Sequence, residues 1–144
     1  MKKVWIIVPV LAIVAFVAAR TFANSDSDEG IQFFRGDWNA ALQKAKAEHK
    51  PIFVDIYASW CGPCKMLKRK TFTNKKVGEY FNSHFINTSF DGEVDEGVKL
   101  ANKFQLQGYP TLILLDENGK VLMYEMGYQT PKQLLGLVQH AMGE

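Results

Sequence analysis

Apolar residues recur along this chain with two spacings, and each change of spacing marks an element. Trp38, Ala41, Leu42 and Ala45 share one face of a helix that Asp37 can cap, running to about Glu48 before Pro51 stops it. The spacing then changes. Ile52 to Ala58 is apolar on both faces except at Asp55, the pattern of a strand in the middle of a sheet covered on both sides. Helical spacing predicts Lys65 to Thr71 and, after a break at Asn74, Lys75 to Ser83; Phe85 to Phe90 is a strand. Val94 to Phe104 is a helix with Val98, Leu100, Ala101 and Phe104 inward. Leu112–Leu115 and Val121–Met126 flank a turn at Glu117-Asn118-Gly119 and predict a β-hairpin. Thr130 can cap a last helix that begins with Pro131 and carries Leu134, Leu135, Leu137 and Val138. With a short strand at Ile31–Phe34, the order is β-α-β-α-β-α-β-β-α. That order predicts an α/β fold: a central mixed sheet with helices on both faces, one of them an extra helix near the N-terminus.

The start of the chain follows another logic. Met1-Lys2-Lys3 is a basic cap, and Val4 to Ala19 is an apolar run interrupted only by Pro9. Small residues near Ala19 and Ala23 complete the order of a secretory signal. The rival is an uncleaved anchor, but a 16-residue helix reaches only about 24 Å against a hydrocarbon core of roughly 30 Å. Cleavage is favoured, and on either reading the rest of the chain is exported. The expected organisation is a signal or anchor over 1–23, a polar spacer with the possible short strand over 24–36, and one domain over 37–144.

Composition narrows the classes. Of 144 residues 47% are apolar and 22% charged, as in an ordinary globular domain. Formal net charge is +2, and the basic residues read as dispersed, which argues against nucleic acid as a partner. A monomer is expected.

The chain's two cysteines, Cys61 and Cys64, stand three apart where the central strand gives way to a helix. Partial positive charge at a helix start favours a thiolate at Cys61, the attacking species in thiol–disulfide exchange, and a thiol at Cys64 can resolve the mixed disulfide. Cys61 is expected to be the more exposed sulfur. Gly62 leaves the nucleophile unhindered and Pro63 stiffens the first turn. Two other readings stand beside this one. A structural disulfide would close too short a loop to stabilise much. Half of a metal site lacks its other half, since no second C-x-x-C exists and His49, His84 and His140 lack ligand spacing and read as solvated. No metal and no cofactor is called for. Asp55 is costly to bury ionised, and its position in the strand brings it behind the pair, where it can exchange a proton with Cys64. Otherwise it faces a loop and caps a turn.

Together these residues resemble the thioredoxin family. The segment Phe53 to Lys65 matches that family's active site at Asp55, Trp60, Cys61, Gly62, Pro63, Cys64 and Lys65, and Gly108-Tyr109-Pro110-Thr111 is similar to its second hallmark. The resemblance covers Asp37 to the C-terminus and implies the thioredoxin fold, a cis Pro110, and a backbone at Tyr109 that pairs with extended substrate. Trp60, Gly62, Pro63, Tyr109 and Pro110 would form the substrate groove, unless Trp60 is ordinary core packing. The flanks, from Ala41 to Val77, look like exported proteins related to the C-terminal domain of DsbD-type thiol carriers. Many thioredoxins place a Lys on the next strand near the buried Asp; the matching position here is Asn87, so Asp55 is expected to lack that partner. The resemblance implies a protein-disulfide reductase or interchange protein of the periplasm, taking electrons from a membrane thiol carrier for client proteins. An oxidase or isomerase, or from another class a metallochaperone or redox-silent binding module, is the alternative.

Overall fold

A computed structural model describes residues 29–144; the basic cap and apolar run lie outside the described residues. Among the described residues no helix is long and apolar enough to cross a membrane. The elements are α1 (Trp38–Glu48), β1 (Ile52–Tyr57), α2 (Gly62–Met66), α3 (Lys75–His84), β2 (Ile86–Asp91), α4 (Asp95–Lys103), β3 (Thr111–Leu115), β4 (Val121–Met126) and α5 (Pro131–Met142). A π-helical segment, Leu67–Thr71, extends α2. The sheet order is β2-β1-β3-β4, with β1 parallel to β2 and antiparallel to β3, and β4 antiparallel to β3. This is the mixed α/β arrangement expected, with α1 as the extra helix before the first strand.

Alternation along β1 divides the core in two. Ile52, Val54 and Ile56 join Ile113 and Leu115 under α1 and α4, with Trp38, Ala45 and Leu100. Phe53 points the other way and joins Leu112 and Leu114 against Leu67, Val77, Phe81, Leu134 and Val138. Successive strand residues face opposite sides, so Asp55 lies on the Phe53 side, the side of α2 and its π extension.

The caps form as their residues require. Asp37 accepts from the Ala40 N–H at 2.7 Å, and Asn74 accepts from Lys76 and Val77 where α3 begins. Thr130 and Gln133 form a reciprocal capping box at α5.

Two expectations fail. Ile31–Phe34 is extended but not a strand, because most of its bonds leave the sheet. The Phe34 N–H donates to the Asn87 carbonyl, but the Ile31 N–H goes to the Phe72 carbonyl and the Gln32 N–H to the Asn82 side chain. The result is a strap docked across β2 and α3. Val98 is exposed rather than inward. Gly97 takes the contact instead, with so little room that a Cβ there would stand 1.7 Å from the Asp91 carbonyl oxygen.

Candidate active site

The strand β1 ends at Tyr57, and a short turn delivers Cys61 to the start of α2. Cys61 is the N-cap residue, with extended backbone, and its Sγ accepts a hydrogen bond from the Cys64 N–H at 3.2 Å. Pro63 fits the first helical turn, where its missing N–H costs nothing. Cys61 and Cys64 are bonded to each other across a Cα separation of 5.3 Å. The expected difference in exposure does not appear: each residue is 2% exposed. Ala58 clusters with the pair, and Tyr57 and Tyr109 pack against that cluster.

Asp55 is buried in the sheet, 1% exposed, which overturns the reading of a loop-facing turn cap. Its Oδ2 accepts from Ser89 Oγ at 2.8 Å, while Oδ1 is buried without a hydrogen-bond partner among the described residues. Burial pushes its pKa from 3.8 up to about 6, opposed by the Ser89 hydrogen bond and by the charge of Lys68. The residue beside Asp55 on β2 is therefore Ser89, because the parallel register pairs Asn87 with Phe53 and Ser89 with Asp55. Asn87 instead donates toward Gln32, Phe81 and Asn82, tying the strap to the sheet. The cation near Asp55 comes from the helix. Neither Ser89 nor Lys68 was singled out from the sequence.

The outer face is apolar and open. Trp60 is 67% exposed, so it is not core; its ring stands edge-on to Tyr109 at 6.2 Å and its Nε1–H donates to Glu93 Oε2 at 3.0 Å. A Cβ added at Gly62 would meet no atom within 4 Å, and its backbone needs no glycine. The bare position clears space on the solvent side of Cys61. Pro110 is buried, and the Tyr109–Pro110 peptide is cis as expected. Gly92 admits the Tyr109 ring: a Cβ there would lie 2.6 Å from Tyr109 Cε1 and 2.9 Å from its Oη.

Charge is less dispersed than the sequence reading held. Lys65, Lys68, Arg69, Lys70, Lys75 and Lys76, six of the 17 Lys and Arg, are exposed within residues 65–76 with no acid among them. Asp91, Glu93, Asp95 and Glu96 are four acids within residues 91–96, with no Lys or Arg among them. His49 and His140 are exposed, but His84 is partly buried and stacks on Tyr80 at 4.0 Å.

Known proteins are similar to this chain in sequence and in fold. A thioredoxin from Alicyclobacillus acidocaldarius is 32% identical over 97 residues, covering 67% of this chain and 86% of its own. The thiol:disulfide interchange protein DsbD of Yersinia pestis is 33% identical over 76 residues; that region is 52% of this chain but only 13% of DsbD. Among solved structures, a Bacteroides thetaiotaomicron protein put forward as a disulphide-isomerase matches with a TM-score of 0.70 at 38% identity, over 78% of this chain and 93% of that one. The oxidised DsbD C-terminal domain of Neisseria meningitidis matches in fold, with a TM-score of 0.63 at 21% identity, over 77% and 98%. A family model described as a thioredoxin-like domain matches residues 38–142, and the chain belongs to that family of thiol–disulfide oxidoreductases, with Cys61 and Cys64 as its disulfide pair.

Proposed function

We propose that the chain is a protein-disulfide reductase or interchange protein acting outside the cytoplasm. The observation that carries this reading is the seat of Cys61, capping α2 with its sulfur accepting the Cys64 N–H, beside the open face of Trp60, Gly62 and Pro63. Helix-start N–H groups favour a thiolate there once the pair is reduced.

The Cys61 thiolate attacks one sulfur of a client disulfide; a Cys61–client disulfide forms and the other client sulfur leaves as a thiolate. Cys64 gives its proton to the Asp55 carboxylate and attacks Cys61 Sγ, releasing the second client thiolate. Two electrons have passed to the client, and Cys61–Cys64 is the disulfide. A dithiol on a membrane carrier of the DsbD type restores the pair by the reverse sequence. The client lies extended along Trp60, Gly62, Pro63 and Pro110, pairing with the Tyr109 backbone. Likeness to DsbD supports the carrier, and the basic, then apolar, N-terminus supports export. Gly-Pro between the cysteines supports a reducing pair, near the thioredoxin potential of about −270 mV rather than the roughly −120 mV of DsbA.

The Bacteroides likeness favours a second reading, an isomerase, which needs the same Cys61 attack without net reduction. Insulin reduction with dithiothreitol, run beside reshuffling of scrambled ribonuclease, separates the two. Turnover of insulin that disappears in Cys61→Ser, with Cys64→Ser accumulating mixed disulfides through Cys61, supports the reductase. Reshuffling without insulin reduction supports the isomerase. Trapping by Cys61→Ser instead would reverse the two cysteine roles.

A further inference from the structure

The described residues begin inside a strongly basic surface. Lys65, Lys68, Arg69 and Lys70 follow the cysteine pair along α2 and its π extension, and Lys75 and Lys76 open α3. Six cations and no acid give residues 65–76 a formal charge of +6. All six are exposed, and none is in an ion pair among the described residues. The turn between the two groups is where the strap joins the fold. The Ile31 N–H donates to the Phe72 carbonyl at 2.7 Å, and a Cβ on Gly30 would stand 2.8 Å from Thr73 Cα. A Cβ on Gly78 would stand 2.6 Å from the Glu29 carbonyl oxygen. Glu29 and Gly30 are thus fixed against Phe72, Thr73 and Gly78, between Lys70 on one side and Lys75 on the other.

We propose that this basic face docks on an anionic lipid headgroup surface, holding the domain to a membrane by the end where its chain enters. Attraction to anionic lipid fades within a Debye length, about 8 Å in physiological salt, so cations gathered on one face count and scattered ones do not. The length of chain before the strap fits this occupant. The apolar run ends at Ala19, ten residues before Glu29, which is at most about 36 Å of extended chain. A run kept as an anchor would hold the basic face within reach of the bilayer; after cleavage the face would itself be the attachment.

The acids that could compete for the face do not neutralise it. The spacer carries Asp26, Asp28 and Glu29; three acids against six cations leave the face at +3 even with all three paired to it. Glu79, one turn into α3 from Lys75 and Lys76, makes no ion pair with either. Lys65 directly follows Cys64, so a domain resting on this face holds the cysteine pair near the bilayer, where the proposed thiol carrier lies. The docking itself does not rest on the reductase reading.

The test is co-sedimentation of the full chain with phosphatidylcholine vesicles, with and without phosphatidylglycerol. The parent is expected to bind the anionic vesicles in excess of the zwitterionic ones, and high salt to remove that excess. Lys70→Glu, Lys75→Glu and Lys76→Glu combined should lower partition onto the anionic vesicles by on the order of 10²-fold. Lys99→Glu, Lys120→Glu and Lys132→Glu combined make the same change in net charge on exposed lysines elsewhere, and should keep most of the excess. Should the first set disturb the fold, Gln at the same three positions is read in its place. No anionic excess in the parent would overturn the proposal and leave the face to an acidic protein. Equal losses in the two sets would also overturn it, since net charge alone would then be the cause. No turnover is involved, so the result is separate from that of insulin reduction.

Discussion

Ser89 Oγ donates a 2.8 Å hydrogen bond to Asp55 Oδ2, while Asp55 Oδ1 is buried with no partner among the described residues. A half-satisfied carboxyl in the sheet is a liability to stability, and the liability depends on pH. Below pH 3.8 the group is neutral in both folded and unfolded chains. As pH climbs, the unfolded chain ionises first, and above about 6 the folded chain must carry a buried charge. The native protein therefore loses about 3 kcal/mol from this group as pH rises from acid to neutral. Urea unfolding of the oxidised protein should show Asp55→Asn gaining on the parent by that order across the window. A pH-independent difference would mean that Asp55 titrates normally.

The same carboxyl should govern a rate. In the oxidised protein a protonated Asp55 can supply the proton that Cys64 takes as its sulfur leaves. Reduction by dithiothreitol, corrected for attacking thiolate, is expected to decline as pH passes about 6 in the parent. Asp55→Asn should be slower below that pH by on the order of 10²-fold and lack the decline. Ser89→Ala should move the decline upward, since the Ser89 hydrogen bond favours the charged form. Identical profiles in all three proteins would leave Asp55 without a proton role.

The proposed groove has Trp60 and Tyr109 facing the client. Because Trp60 is largely exposed, Trp60→Ala should barely change stability, yet it should raise KM for insulin and leave reduction by small thiols intact. Gly92→Ala, which crowds the Tyr109 ring at 2.6 Å, should raise the same KM at full Trp60 exposure. A KM unaffected by either change would remove both residues from the groove.

Much of this was legible in the residues. An apolar run broken by one Asp reads as a central strand, and the Cys-Gly-Pro-Cys after it as the start of a helix, as found. The partner of Asp55 was not legible for a definite reason. Asn87 and Ser89 are two residues apart on β2 and face the same side, so alternation cannot choose between them; the parallel register does. Lys68 was hidden because its stem folds back over Tyr57, a tertiary contact with no spacing of its own. Val98 fits the helical period, but the close approach of Gly97 to the Asp91 carbonyl decides which side of α4 faces in. Ile31–Phe34 looks like a strand because its residues suit one; the Asn82 side chain and the Phe72 carbonyl claim its hydrogen bonds first.

The direction of electron flow is tested most directly by the standard potential of Cys61–Cys64, measured against glutathione or dithiothreitol at pH 7. A reductase requires a value below about −230 mV, on the thioredoxin side of the known couples. A value above about −180 mV would make the pair a net donor of disulfides and contradict the reductase reading.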